Sequence, residues 1–106
     1  MTSNEPNLPE LDPAIHPQTR LQIMTTLCAL QPKDRLAFPR LQEILGLTPG
    51  NLSTHLTKLE EAGYVTIEKA FQGRTPVTWV SVTRDGRNAF EQYSEALGAY
   101  LKRGRR

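Results

Sequence analysis

The chain has 106 residues, of which 38% are hydrophobic and 23% charged, so its size and composition are those of one ordinary globular domain. Its formal net charge is +2, but residues 1–101 carry −2, and this balance does not indicate a nucleic-acid partner by itself. The sequence has no apolar run of the roughly 18 residues that a membrane span needs and no signal-peptide pattern, so we expect a soluble, cytoplasmic protein without a membrane partner.

Cysteine and histidine are too few for a metal site. The single cysteine, Cys28, cannot form an internal disulfide, and His16 and His55 do not form a ligand cluster with it. Zinc fingers are therefore excluded, and we predict neither a metal nor a cofactor. Nor does the sequence contain a nucleophile-base set or a glycine-rich phosphate loop, so we predict that the protein is not an enzyme.

The two ends of the chain differ from its middle. Residues 1–13 contain three prolines and few large apolar groups, which predicts a flexible N-terminal arm. The folded domain is predicted over residues 14–101. Residues 102–106 form a basic C-terminal tail, which is either solvated or a phosphate-binding arm.

Two helices are predicted in the first half of the domain. Apolar residues recur at helical spacing over about 17–30, which predicts a first helix that begins at Pro17 and ends before Pro32. Cys28 falls in this apolar stripe, so a core position is favoured over a redox switch. Pro39 and Gly46 mark the start and end of a second helix of about two turns.

A third helix is predicted over about 49–62. Thr48 suits the N-cap position, Pro49 the first helical position and Gly63 the stop. Leucines at positions i, i+4 and i+7 predict one narrow buried face, and these are Leu52, Leu56 and Leu59. The polar residues on the opposite side are Asn51, Thr54, Thr57 and Lys58, with Ser53 and His55 on the flanks.

The hydrophobic period then changes to two, which predicts strands over about 64–70 and 76–82. Their connection, Phe71–Thr75, has glycine at its tip and predicts an exposed loop longer than a two-residue turn. A final helix is predicted over about 84–102, with Thr83 as its cap and apolar residues at spacings of three and four.

This order of elements predicts an α+β winged helix-turn-helix fold with three N-terminal helices, a two-stranded β-hairpin wing and a C-terminal dimerisation helix. A helix that buries leucines and exposes Asn, Thr and Lys can enter the DNA major groove, where these groups bond base edges and phosphates. The wing adds two cations that can reach the backbone or the minor groove. The predicted DNA-binding residues are Thr48, Gly50, Asn51, Ser53, Thr54, His55, Thr57, Lys58, Lys69 and Arg74.

The stretch Leu52-Ser53-Thr54-His55-Leu56-Thr57-Lys58-Leu59-Glu60-Glu61-Ala62-Gly63-Tyr64-Val65 resembles the recognition helix and first wing strand of winged-helix transcriptional regulators of the MarR and ArsR kind. The similarity covers roughly residues 13–101. It implies a DNA-binding homodimer with the recognition helix, about 49–62, in the major groove and the wing loop, 71–75, against the backbone or minor groove.

The sequence departs from these relatives in two ways. Metal-sensing members often carry a Cys-x-Cys pair on the helix before the recognition helix, whereas Leu41–Leu45 contains no cysteine. MarR-type regulators usually have longer terminal helices that dimerise and form an effector pocket. The resemblance therefore names no small-molecule effector for this chain.

The last helix carries more apolar surface than a domain of this size covers easily, so we expect part of it to contact a second copy. The predicted dimer-interface residues are Phe90, Tyr93, Leu97, Tyr100 and Leu101. Two-fold symmetry then implies an inverted-repeat operator.

The function predicted from these features is a sequence-specific, double-stranded-DNA-binding transcriptional regulator that acts as a homodimer. The alternative is a winged-helix protein-interaction module that does not bind DNA, because fold alone does not fix function. The near-neutral body of the chain favours this alternative, and the acid-free face of the third helix opposes it.

Overall fold

The computed structural model describes residues 8–104, so the beginning of the predicted arm and the end of the basic tail lie outside the described residues. The elements in chain order are α1 (Gln18–Cys28), β1 (Leu36–Ala37), α2 (Phe38–Leu45), α3 (Pro49–Glu61), β2 (Val65–Gln72), β3 (Thr75–Val82) and α4 (Arg84–Gly104). Three helices, a hairpin and a final helix confirm the predicted α+β winged helix fold.

The sheet has three antiparallel strands in the order β1-β3-β2, one more than the predicted two-stranded wing. The additional strand, β1, pairs Leu36 with Val80 and Ala37 with Trp79. Two residues are too few to produce an alternating pattern, so periodicity gave no signal for this strand. It attaches the start of α2 to the base of the hairpin.

The hairpin is longer, and its loop shorter, than predicted. Strands β2 and β3 pair without interruption from Val65 opposite Val82 to Gln72 opposite Thr75, which leaves only Gly73 and Arg74 as the turn. Gly73 has φ 66°, the left-handed value that a type II′ turn requires at its first position. The predicted five-residue loop was therefore wrong.

Pro76 is accommodated in β3 because of where β1 ends. A proline has no N–H and is tolerated in a sheet only where that edge of the strand is unpaired. β1 reaches no further along β3 than Trp79, so the side of β3 away from β2 is open at Pro76. The predicted second strand, about 76–82, already included Pro76, and β3 begins one residue earlier at Thr75.

One core joins the helices to the base of the hairpin. It is built from the apolar stripe of α1, Leu41 of α2, the three leucines of α3 and the inward residues of β2 and β3. The residues buried in this core are Ile15, Ile23, Met24, Leu27, Leu41, Leu52, Leu56, Leu59, Val65, Val80, Val82 and Tyr93. The outer half of the hairpin lies beyond it.

The predicted ends of α2 and α3 are confirmed. Gly46 follows α2 with φ 65° and Gly63 follows α3 with φ 84°, both in the left-handed region that favours glycine. The Thr48 hydroxyl accepts a hydrogen bond of 3.1 Å from the Asn51 backbone N–H and so caps α3. α1 ends at Cys28, two residues before the predicted end.

Thr83 links the end of α3, the base of the wing and the start of α4. Its hydroxyl donates to the Gly63 carbonyl at 2.7 Å and accepts from the Gly86 N–H at 2.9 Å. Its backbone N–H donates to the Tyr64 carbonyl at 3.0 Å. These three bonds, which we call the Thr83 junction, fix the direction in which α4 leaves the sheet.

Part of the predicted N-terminal arm contacts the domain. The Tyr64 hydroxyl donates to Asp12 Oδ2 at 2.6 Å, and the Tyr100 hydroxyl donates to the Pro9 carbonyl at 2.9 Å. Further on, His16 Nδ1 lies 3.0 Å from the Tyr93 hydroxyl. The described part of the arm is thereby hydrogen-bonded to the residue that precedes β2 and to α4.

Gly86 gives a direct test of the packing at the Thr83 junction. A Cβ at Gly86 would overlap the Tyr64 carbonyl oxygen and lie 2.9 Å from Val82 Cγ2, so Gly86→Ala should lower the free energy of unfolding by about 2 kcal/mol or more. Gly98, on the same helix, has nothing within 4 Å of its Cβ position. Gly98→Ala should raise that free energy by up to about 1 kcal/mol. Urea denaturation measures both, and equal effects would contradict this packing.

Tyr64 makes stability depend on pH at the alkaline end. Its hydrogen bond to Asp12, together with burial and nearby carboxylates, raises the pKa of Tyr64 from 10 to about 12. The unfolded chain therefore ionises this phenol first, and the stabilisation present below pH 10 is lost as the pH rises through about 12. Urea denaturation should show a steeper loss of stability over this range for the wild type than for Tyr64→Phe.

Asp12→Asn separates charge from hydrogen bonding in the same experiment. With its oxygen toward Tyr64, the amide keeps an acceptor for the hydroxyl and removes the negative charge, and the bond that Asp12 accepts from the Ala14 N–H is lost at every pH. As the pH rises from 10 to about 12, Asp12→Asn should lose less stability than the wild type and more than Tyr64→Phe. Parallel curves for all three proteins would show that the Tyr64–Asp12 bond does not form in solution.

Candidate nucleic-acid interface

α3 is held in the domain by one narrow face. Leu52, Leu56 and Leu59 are at most 1% exposed, as their spacing predicted. Because these leucines follow the i, i+4, i+7 pattern, the remaining two thirds of the helix surface point away from the core. The helix can therefore present its outer side to a partner without disturbing its packing.

The structure brings the predicted polar residues together on that outer side. The exposed members of the set on or beside α3 are Thr48, Gly50, Asn51, Ser53, Thr54, Thr57 and Lys58. His55 is only half-buried, and its Nδ1 atom is enclosed without a hydrogen-bond partner among residues 8–104. His55 therefore lies at the edge of this surface, where one side of its ring faces the protein.

Hydrogen bonding within α3 limits what two of these hydroxyls can do. Thr57 Oγ1 donates to the Ser53 carbonyl at 2.9 Å, so it remains available to a partner only as an acceptor. The Thr48 hydroxyl accepts from Asn51 N and keeps its own hydrogen to donate. Beside it, the Gly50 N–H has no acceptor within the described part of the chain and faces the helix N-terminus, where anions are favoured.

The wing base and the middle of α3 share one cleft. Lys69 on β2 and Ser53 on α3 both border it, and its volume is about 220 Å³. The residues that line the cleft are Phe38, Ser53, Leu56, Ile67, Lys69 and Thr78. Two predicted DNA-binding residues from different elements thus lie on the same side of the molecule.

Arg74 occupies the tip of the wing. It is the second residue of the two-residue turn and is exposed. The turn is bounded by fully paired strands, so the guanidinium is carried at the end of a rigid hairpin.

Arg35, which no sequence pattern singled out, packs against the other face of the hairpin. Its guanidinium carbon lies 4.2 Å from the centre of the Trp79 ring, and its Nη1 lies 3.5 Å from Glu68 Oε1. Arg35 therefore stacks on the tryptophan ring and pairs with the Glu68 carboxylate at the solvent-exposed surface of the wing.

The predicted dimer residues of α4 do not all face outward. Leu101 is 64% exposed and Tyr100 37%, while Phe90 and Leu97 are half-buried. Tyr93 is only 3% exposed, and its hydroxyl lies beside His16. Tyr93 is therefore part of the core of this chain, which leaves little of its ring for a second copy to contact.

Cys28 is half-buried beside α4, as expected of a packing residue. Burial raises the pKa of the Cys28 thiol, and the nearby positive charge of Arg87 offsets only part of this effect. That guanidinium donates to the Cys28 carbonyl at 3.1 Å and to the Leu30 carbonyl at 2.9 Å. Arg87 therefore closes the C-terminal end of α1, and the thiol stays protonated at neutral pH.

The part of the chain that the structure describes has neither a metal-ligand cluster nor a helix that could span a membrane. Within residues 8–104 there is no group of three or more His, Cys, Asp or Glu side chains that could hold a metal ion. No helix in the same range is long and apolar enough to cross a membrane.

A helix with a polar outer face, preceded by a short helix and followed by a hairpin, defines a winged helix. The winged helix DNA-binding domain family matches residues 19–101, so the match runs from the first turn of α1 to the last turn of α4. The chain belongs to this family. Family and fold point to a transcriptional regulator rather than an enzyme.

The chain is also similar to individual proteins. An uncharacterized protein of Methanocaldococcus jannaschii is 41% identical over 75 residues, which cover 70% of this chain and 77% of the relative. The fold is similar to that of a transcriptional regulator homologue from Pyrococcus horikoshii OT3, with a TM-score of 0.76 and a sequence identity of 32%. The match covers 84% of this chain and 85% of that chain. The transcriptional regulator HlyU from Vibrio vulnificus CMCP6 is 26% identical, with a TM-score of 0.57 and coverage of 77% and 78%.

Proposed function

We propose that the protein is a sequence-specific, double-stranded-DNA-binding transcriptional regulator that acts as a homodimer. α3 lies in the major groove, and the wing contacts the backbone or minor groove. The observation that carries this proposal is the outer face of α3, where polar groups and Lys58 are exposed and no acid occurs between Ile44 and Leu59. The Pyrococcus and Vibrio proteins that are named transcriptional regulators support it.

Base recognition is assigned to the first half of α3. Asn51 and Thr54 are exposed there, and asparagine can form a paired hydrogen bond with adenine in the major groove. Glu60 and Glu61 stand at the other end of the helix, which the insertion geometry holds away from the DNA. The polar groups therefore meet the bases, and the carboxylates avoid the phosphates.

Phosphate binding rests on few positive charges. Lys58, Lys69 and Arg74 are exposed, and Thr48 and the Gly50 N–H supply neutral donors at the start of α3. About three neutralised phosphates per subunit would give a dimer a salt slope of about −5. Affinity should therefore depend on salt less steeply than in strongly basic DNA-binding proteins.

Dimerisation is assigned to one stripe of α4. Phe90, Leu97 and Leu101 lie along one line of the helix, about 90° around the axis from the stripe of Tyr93 and Ala96 that enters the core. Leu101 is the most exposed of these residues. A second copy of this stripe would cover it by two-fold symmetry, so we expect inverted half-sites roughly 10 bp apart.

Selection of genomic fragments by the full chain tests DNA binding. Recovered fragments should share an inverted repeat and bind with a dissociation constant on the order of 10⁻⁸ M in mobility-shift assays. If no genomic fragment is retarded even at low salt, the regulator proposal fails, and the alternative of a protein-interaction module takes its place.

Asn51→Ala tests the placement of α3 in the major groove. Loss of the amide removes a paired base contact. The difference in binding free energy between operators that differ at the contacted base pair should therefore fall by about 1–3 kcal/mol. Arg74→Ala should instead weaken binding to all operators alike and reduce the salt slope by about one per subunit. Gln92→Ala, which removes an exposed amide from α4, is the matched control and should leave binding unchanged. Unaltered ratios between operators for Asn51→Ala would contradict the placement.

Leu101→Asp tests the dimer interface. A buried, unpaired carboxylate at the interface should convert a dimer into a monomer at micromolar concentration, as measured by sedimentation velocity. Gln92→Asp places the same charge on the exposed opposite side of α4 and should leave the dimer intact. A wild-type monomer, or equal sedimentation of both variants, would refute the assignment.

A further inference from the structure

Phe71 is the most exposed large hydrophobic side chain of the described residues, at 71%. It lies in the outer part of β2, beyond the core, and pairs with Pro76 across the hairpin. Neither residue is needed to close the core, since the buried hydrophobic residues of the hairpin are Val65, Val80 and Val82 at its base. An aromatic ring and a proline are thus carried to the end of the wing and left uncovered.

The register of the hairpin fixes which face Phe71 occupies. The paired residues run without a bulge, so side chains alternate strictly between the two faces. Val65, Ile67, Lys69 and Phe71 share one face, and Ile67 and Lys69 line the cleft against α3. Phe71 therefore lies on the α3 side of the wing, one step beyond Lys69.

Arg35 lies on the opposite face of the wing, where it contacts Glu68 and Trp79. Phe71 is the most exposed large hydrophobic side chain of the hairpin, so the main uncovered apolar surface of the wing is on the α3 side.

Charge around Phe71 selects the chemistry of that partner. From Lys69 to Arg84 the chain contains no Asp or Glu, while Lys69 and Arg74 stand on either side of Phe71. An apolar surface between two cations and without acids fits a partner that is apolar in its interior and anionic at its rim. A DNA groove has this construction, with sugars and base edges between two rows of phosphates.

We propose that Phe71, supported by Pro76, is an apolar wedge that enters the minor groove beside the site of α3. This inference rests on the proposed DNA-binding function. With α3 in the major groove, the wing meets the adjacent minor groove, where apolar side chains insert at base steps and partly unstack them. Lys69 and Arg74 then contact the phosphates on either side of the ring.

The wedge has a thermodynamic signature that distinguishes it from a phosphate contact. A neutral ring releases no counterions, so its contribution to affinity is the same at every salt concentration. A cation such as Arg74 contributes less as salt rises. Affinity measured across a salt series therefore separates the two residues of the same wing.

The experiment compares four full-length proteins on one duplex taken from the genomic selection: the wild type, Phe71→Ala, Phe71→Leu and Arg74→Ala. Phe71→Ala should weaken binding roughly tenfold at all salt concentrations with an unchanged slope. Phe71→Leu keeps an apolar wedge and should retain most of the affinity. Arg74→Ala should reduce the slope.

A fluorescent base reports the insertion directly. Duplexes that carry 2-aminopurine at single positions beside the half-site should brighten at one step when the wild type or Phe71→Leu binds, and stay dark with Phe71→Ala. All variants should unfold at the same urea concentration as the wild type, because these side chains are outside the core.

The outcomes separate the two proposals. If the wild type binds no fragment, DNA binding itself fails. If the wild type binds but Phe71→Ala binds equally well at every salt concentration, the wedge is overturned and DNA binding stands. If Phe71→Ala alters the sedimentation of the free protein instead of its DNA affinity, Phe71 is a contact between copies, and the wedge is again overturned.

Discussion

The arrangement of this domain depends on the close approach of α4 to the turn between α3 and β2. Gly86 lies against the Tyr64 carbonyl where no side chain fits, and Thr83 bridges the Gly63 carbonyl and the Gly86 N–H. The last turn of α3, the first residue of the wing and the first turn of α4 are thus joined within a few ångströms. Asp12 adds the N-terminal segment to the same place through Tyr64. Any displacement of α4 would therefore be passed to the surface that we assign to DNA.

This arrangement couples the two proposed activities of the protein. α4 carries the stripe assigned to the dimer, and its first turn is bonded to the residues that begin the wing. In a symmetric dimer, the angle between the two α4 helices would set the distance between the two α3 helices. Half-site spacing would then be determined at the Thr83 junction rather than by the residues that touch DNA.

Local sequence signals predicted most of the helices and the outer face of α3. Thr48, Gly46 and Gly63 act within a few residues of themselves, and the leucines of α3 follow one period, so these features need no knowledge of the rest of the chain. The misses depend on partners distant in sequence. β1 exists only because β3 is beside it, and Tyr93 is buried because His16 and the core cover it. The face of the wing on which Phe71 lies likewise became visible only once the register of the hairpin was known.

The uninterrupted pairing of the hairpin also determines how its length can change during evolution. Loss or gain of one residue in a strand would turn every side chain beyond that point to the opposite face. A change before Lys69 would therefore turn Lys69 away from α3, and the next side chain in the strand would face α3 instead. Loss of two residues from each strand would keep the faces and shorten the wing by about 7 Å. Relatives with wings of different reach should therefore differ in steps of two residues per strand. Odd differences should be accompanied by a bulge that restores the faces.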